Sequence, residues 1–170
     1  MGEADRDLLA AIRSGLAAAG DPAVAVKQQA YMKSLMPYAG VTTPVMRKLT
    51  RVAAKAHPLP DFPTWHATLM TLWREARVRE ERYAAEEVAG LPPYRAHAVS
   101  LDALPMFEEF IVDGAWCDHV DSVAVHRLGP LLLAHPEVVA RTMRTWSTDP
   151  DRWRRRSSVI CQVGLGAEVD

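Results

Sequence analysis

Proline punctuation on a helical hydrophobic period constrains this chain more than any other feature. Leu8, Leu9, Ile12 and Leu16 recur at helical spacing in the first segment. Similar stripes follow at Trp65/Leu69/Leu72/Trp73, Leu104/Phe107/Ile111, Val120/Val123/Ala124 and Val159/Ile160/Val163. Pro58, Pro60, Pro63, Pro92, Pro93, Pro105, Pro130, Pro136 and Pro150 interrupt the pattern, leaving helices of roughly 8–16 residues. Asp21-Pro22 and Thr43-Pro44 are start signals, a capping side chain followed by proline at the first helical position. They predict helices running to about Met36 and Ala56. No two-residue hairpin turn sits between alternating segments, so strands are not expected. The fold class that follows is all-α: antiparallel helix pairs stacked in a bundle or an α-solenoid, compatible with HEAT-like repeats of roughly 40 residues.

A length of 170 residues matches one domain, read as a single helical-repeat domain over 1–170. Two cysteines, Cys117 and Cys161, cannot form a disulfide framework, which suits a reducing compartment. No uninterrupted apolar stretch approaches about 18 residues, so no membrane span is expected. The acidic start Met1–Asp5 is unlike a signal peptide, and a cytoplasmic location is expected.

The net charge of −1 argues at first against a nucleic-acid partner, but the average hides a segregation. Residues 22–60 carry six basic and no acidic side chains, and 101–121 carry six acidic and no basic ones. Residues 122–156 carry seven basic and three acidic side chains. In the helix opened by Thr43, Val45, Leu49, Val52, Ala53 and Ala56 fall in one arc. Arg47, Lys48, Arg51 and Lys55 fall in another. A solvated helix face normally mixes signs, because like charges one turn apart repel. A stripe of cations therefore points to a polyanion such as the phosphate backbone.

Two polar clusters could carry chemistry. In 115–122, helical spacing puts Trp116, Val120, Val123 and Ala124 on a buried arc. Asp118 and Ser122 point away, and Cys117 and Asp121 share the border. A carboxylate at such a border is half-desolvated and well placed for electrostatic catalysis. In 151–158, Arg154 and Arg155 leave the arc of Val159, Ile160 and Val163, whereas Arg156 falls inside it. An arginine on a core-facing stripe needs an anion, for which Asp121 is one candidate. The six histidines are scattered without metal-ligand spacing, and no phosphate-loop or nucleophile-elbow pattern occurs. Neither a metal nor a cofactor is expected.

Three stretches together resemble the AlkD-like DNA alkylation repair glycosylases, which are built from HEAT-like repeats. The first is Ala30-Tyr31-Met32-Lys33 followed by Gly40-Val41-Thr42-Thr43-Pro44 and Arg47. The second is Phe107-Glu108-Glu109-Phe110-Ile111-Val112 running into Trp116-Cys117-Asp118-His119-Val120-Asp121-Ser122. The third is His135-Pro136-Glu137 and then Trp153-Arg154-Arg155-Arg156. Order and spacing agree over nearly the whole chain.

The resemblance implies hydrolysis of the N-glycosidic bond of cationic alkylated purines, such as 7-alkylguanine and 3-alkyladenine, in duplex DNA. By motif position it makes Asp121 the catalytic carboxylate. It places Arg156, Cys117, Trp116 and Trp153 along the DNA groove. It assigns Tyr31, Lys33, Thr42, Thr43, Arg47, Lys48 and Arg51 to the DNA backbone. Such enzymes act in the bacterial cytoplasm, at the nucleoid. Two features depart from the family pattern. Cys117 stands where the family has an aromatic residue, usually Trp. The family also continues through further helix pairs, so the chain reads as C-terminally short and the apolar face of its last helix as a surface for self-association. The alternatives are a catalytically inactive DNA-binding HEAT-repeat relative and a HEAT-type protein-interaction scaffold.

Overall fold

The computed structural model describes residues 2–165. Among them all regular structure is helical, and the chain divides into two compact units, 1–91 and 92–170. The all-α class and the succession of helix pairs agree with the reading of the sequence. Among the described residues no single helix is long and apolar enough to cross a membrane.

The first unit comprises α1 (Arg6–Ala19), α2 (Pro22–Met32), α3 (Thr43–Ala56), α4 (Phe62–Arg74) and α5 (Arg79–Ala89). Asp5 caps α1 by accepting from the Leu8 N–H at 2.7 Å. Its own N–H donates to Thr68 Oγ1 of α4 at 2.9 Å, which ties the start of the chain to that helix. Leu8, Ile12 and Leu16 of α1 and Trp65, Leu69, Leu72 and Trp73 of α4 are all removed from solvent, as their spacing predicts. A fully buried side chain of this size contributes about 1.5–3 kcal/mol. Gly15 allows a close approach to α3, since a Cβ there would lie 2.6 Å from Leu49 Cδ2.

Two details differ from the sequence reading. First, α2 ends at Met32 rather than near Met36. Lys33 turns left-handed (φ 49°), and its N–H reaches Ala30 O at 3.3 Å while Ser34 N–H reaches Gln29 O at 3.2 Å. These bonds satisfy the last carbonyls and stop the helix. Second, α3 ends at Ala56 as expected, but Thr43 is its first residue rather than its cap, and it buries Met46, Thr50, Ala53 and Ala54. Val45 and Val52, placed in the apolar arc by sequence, are exposed. Thr50 is accommodated because its hydroxyl donates to Met46 Sδ at 3.6 Å.

The segment between α2 and α3 has no regular structure and is strapped to α5. The Glu80 carboxylate is buried and accepts from Ala39 N–H at 2.9 Å, Gly40 N–H at 2.9 Å and Val41 N–H at 3.0 Å. Arg79 N–H donates to Pro37 O at 2.9 Å, and the hydroxyls of Tyr38 and Tyr83 meet at 3.0 Å. Gly40 is obligatory here. Its φ is +85°, and a Cβ would fall 1.9 Å from Asp21 O.

The second unit begins with a 3-10 turn (Pro92–Tyr94), the short α6 (Arg95–Ala98) and another 3-10 turn (Leu101–Ala103). It continues through α7 (Leu104–Gly114), α8 (Cys117–Val123), a π turn (Ala124–Leu128), α9 (Gly129–Ala134), α10 (Pro136–Trp146) and α11 (Arg152–Ile160). Phe107, Phe110 and Ile111 of α7 pack in its core with Val120, Val123, Leu128, Leu131 and Val139, all buried. Pro130, read from sequence as a breaker, does not end a helix. The π turn carries α8 into α9 without interruption, and Gly129 N–H reaches back to Ala124 O. The His126 carbonyl, which a proline four residues on cannot serve, accepts instead from Arg127 Nη1 at 2.8 Å. At 100° per residue, a regular helix would put Arg127 in the centre of the arc of Val120, Val123 and Ala124. The wider turn brings Leu128 to that side, and Leu128 is fully buried.

Candidate active-site cleft and nucleic-acid interface

The cleft of the second unit is built by a change of direction between α7 and α8. Ala115 is left-handed (φ 43°) and Trp116 extended (φ −151°, ψ 147°). An alanine in that region costs about 1–2 kcal/mol, which the burial of Ile111, Gly114 and Val120 on either side offsets. Because Trp116 is not helical, it leaves the buried arc that helical spacing assigns to it. It is half-buried and lines an open cleft with Cys117, Arg152, Trp153 and Arg156. Val120, Val123 and Ala124 are buried as expected.

Across the cleft, α11 is fixed at its first turn. Asp151 caps it, accepting from Trp153 N–H at 2.8 Å and Arg154 N–H at 2.9 Å. Arg154 was expected to be solvated. Instead it is partly buried, with Nη2 2.7 Å from Glu108 Oε1 and Nη1 3.5 Å from Asp149 Oδ1. Burial lowers the affinity of its guanidinium for the proton, but Glu108 and Asp149 together raise it above the ordinary arginine value. Arg155 is exposed, as expected, and donates to Pro150 O at 2.9 Å.

Arg156 pairs with Asp121, as the sequence reading offered. Nε donates to Oδ1 at 2.6 Å and Nη2 to Oδ2 at 2.7 Å, a two-pronged contact between α11 and α8. Hydrogen bonding to Asp121, and then its charge, raises the Arg156 pKa further. The reason expected for this pair needs correction. Arg156 is not on a core-facing stripe: its side chain is 45% exposed and that of Asp121 39%. The buried face of α11 is made by Ser157 and Ser158, with Cys161 just beyond. Val159, one turn beyond Arg156, is exposed, as is Val163 past the end of α11. Arg152, to which sequence assigned no role, lies over the Trp153 ring, with Cζ 4.6 Å from the centroid. Cys117 is an exposed thiol at the mouth of the cleft, and burial pushes the thiol of Cys161 up to about 11.

The other residues singled out from sequence lie in the first unit. Tyr31 is 85% exposed, and Lys33, Thr42, Thr43, Arg47, Lys48 and Arg51 are exposed as well. Thr42 occupies the cap position of α3 but makes no side-chain cap bond. The cationic stripe is less bare than its own helix suggests. Glu87 of α5 accepts from Arg51 Nε at 2.6 Å and lies 3.4 Å from Arg47 Nε. One carboxylate thus serves two guanidinium groups, and Lys48 and Lys55 extend the same exposed face. Glu87 and Glu80 gave no sequence signal, since both sit in a charged run that reads as solvated surface. Among the described residues, no group of three or more His, Cys, Asp or Glu side chains could hold a metal ion.

No curated protein matches the chain significantly. Among solved structures, a predicted DNA alkylation repair enzyme from Enterococcus faecalis superposes with a TM-score of 0.74 at 22% identity. The likeness covers 89% of this chain and 68% of that one, and at this identity it establishes the fold. A family model described as DNA alkylation repair enzyme matches residues 12–168, nearly the whole length. The chain belongs to the DNA alkylation repair enzyme family.

Proposed function

We propose that this protein is a DNA glycosylase that excises cationic alkylated purines, such as 7-alkylguanine and 3-alkyladenine, from duplex DNA. The observation that carries the proposal is the pairing of Asp121 with Arg156 beside a cleft lined by Trp116, Cys117 and Trp153. A purine that already bears a positive charge is a good leaving group and needs little acid assistance. The remaining demand is to stabilise positive charge on the sugar as the bond lengthens. A fixed, half-exposed carboxylate does this and can orient the attacking water. In this reading Asp121 is catalytic, and Arg156 sets its orientation and meets the backbone of the groove. The base need not be flipped into a deep pocket, as in most glycosylases. The open cleft is in keeping with that.

Tyr31, Lys33, Thr42, Thr43, Arg47, Lys48 and Arg51 supply the contacts to the DNA backbone in this proposal. Their exposure and the helix N-terminus at Thr42 suit phosphate oxygens. Exposed Val159 and Val163 carry the further proposal that the chain self-associates through α11. Because Val159 lies one turn from Arg156 on α11, such a dimer would compete with DNA. The setting is the bacterial cytoplasm, at the nucleoid.

The deciding experiment is release of 7-methylguanine from alkylated duplex by the full chain. Release above the buffer rate is expected. Salt-dependent duplex binding without release would leave a DNA-binding relative that has lost catalysis. Absence of both would leave a protein-interaction scaffold. A variant sharpens the assignment of the cleft. Cys117 sits one helical turn before Asp121, and a ring there would add a cation-binding face, a contact of about 0.5–2 kcal/mol. Cys117→Trp is therefore expected to raise the single-turnover rate severalfold, and an unchanged rate would count against placing Cys117 beside the reacting sugar.

A further inference from the structure

We infer that the Trp153 ring is the subsite for the substrate's positive charge, and that Arg152 holds that place until the substrate displaces it. This rests on the reading of the cleft as a site for cationic purines.

Two groups that attract a cation meet at the cleft, the Trp153 ring in its lining and the Asp121 carboxylate beside it. Both already carry a guanidinium. Arg156 occupies Asp121 through two hydrogen bonds, and Arg152 lies 4.6 Å from the Trp153 centroid. The two arginines are not equivalent. Among the described residues Arg152 has no carboxylate partner, and it is exposed on the first residue of α11. The turn that carries the ring is fixed: Asp151 accepts from the Trp153 backbone N–H, and Arg154, the next residue, is anchored to Glu108 and Asp149. A ring on a fixed turn, beneath an exposed cation with no carboxylate to hold it, is an exchangeable arrangement. Arg152 can leave for a backbone phosphate, which suits the planar donors of arginine, and a cationic purine can take the ring face.

Once Arg152 is displaced, the ring selects by charge. A neutral purine that displaces Arg152 forfeits one cation–π contact and gains only stacking. An alkylated, cationic purine replaces one cation–π contact with another. The Trp153 ring thus favours the charged base without any contact to the alkyl group itself, and the cost of displacing Arg152, the same for either base, keeps the face closed to weak ligands. This residue pair would fill the role that Cys117, lacking a ring, cannot.

The test titrates the full chain with 7-methylguanosine, in mildly acidic buffer where its ring is positively charged, and with guanosine. Binding is followed by the indole N–H signals in two-dimensional NMR. In the wild type, 7-methylguanosine should perturb the Trp153 signal more strongly than guanosine does. Arg152→Gln removes the resident cation and with it a displacement cost common to every ligand of the ring, so it should tighten both nucleosides about three- to tenfold, in line with a partly exposed cation–π contact, and leave the preference for 7-methylguanosine unchanged. Trp153→Phe should weaken the charged nucleoside, and Trp153→Leu should abolish its preference over guanosine. Equal affinities in wild type and Arg152→Gln, a preference for the charged nucleoside that survives Trp153→Leu, or no binding at all would overturn the inference. The base-release assay fails separately. A chain that shows the charge-selective pattern but releases no base keeps the subsite and loses the glycosylase. A chain that releases base while ignoring both substitutions does the reverse.

Discussion

Asp121→Asn is expected to abolish release of 7-methylguanine from alkylated duplex while leaving the fold intact. Asparagine preserves the size of the side chain but removes the negative charge that would stabilise a developing sugar cation. It also breaks the match to Arg156. The carboxylate accepts from Nε and Nη2 on its two oxygens, whereas an amide would turn a donor toward one of them. Loss of one electrostatic group aimed at developing charge typically costs about a hundred- to a thousandfold in rate. Stability should barely move, by less than about 1 kcal/mol, because both partners are well exposed and Arg156 can relax into solvent. Single-turnover rates and thermal midpoints measured side by side test both halves. A variant with near wild-type release would remove Asp121 from the mechanism.

The largest effect on stability should come from Glu80→Ala. Glu80 is nearly inaccessible, and its carboxylate is the common acceptor for three successive backbone N–H groups, those of Ala39, Gly40 and Val41. Alanine would leave those donors without their acceptor in a region where water has little access. A hydrogen bond to a charged group contributes about 1.5–3 kcal/mol, and an orphaned buried donor costs about 1–3 kcal/mol. With partial relaxation, a loss of about 3–5 kcal/mol is expected. Glu80→Gln should fall between, since it keeps one acceptor oxygen and turns an amide toward the other donors. The denaturant midpoint, at unchanged slope, reports the difference. A loss below about 1 kcal/mol for the alanine variant would mean that the strap to α5 contributes little.

How far these features can be read from sequence depends on how local their causes are. The apolar face of α1 is legible from four residues, because Leu8, Leu9, Ile12 and Leu16 face a large core and are all buried. The bounds of α3 are legible from Thr43-Pro44, but its buried face is not. The choice of Met46, Thr50 and Ala54 over Val45 and Val52 belongs to the neighbouring helices. Small residues and a self-satisfied threonine permit a closer approach there than valine does. The same reversal occurs in α11, where Ser157 and Ser158 are buried and Val159 is not. The spacing of Asp121 and Arg156 makes them candidate partners, and they do pair, but in a half-exposed setting rather than on a core-facing stripe. Trp116 escapes periodic reading because one extended residue at a helix cap resets the phase. The Glu80 strap and the sharing of Glu87 by two arginines depend on contacts about 40 residues apart, and a local pattern carries no trace of them.

The π turn at Ala124–Leu128 bears on which changes of length this chain can absorb. Insertions and deletions are ordinarily confined to loops, because one residue more or less rotates everything beyond it by 100°. The helix from Cys117 to Ala134 already carries one residue beyond the regular repeat. Loss of a residue such as Val125 would return the segment to the ordinary winding. Leu128 and Leu132 would then keep their places against the core, and Arg127 would stay outside it. Upstream, Cys117 and Asp121 would keep their register with Arg156. The turn is thus an indel-tolerant joint within a helix, and the cleft half of that helix can stay constant while the other half changes length.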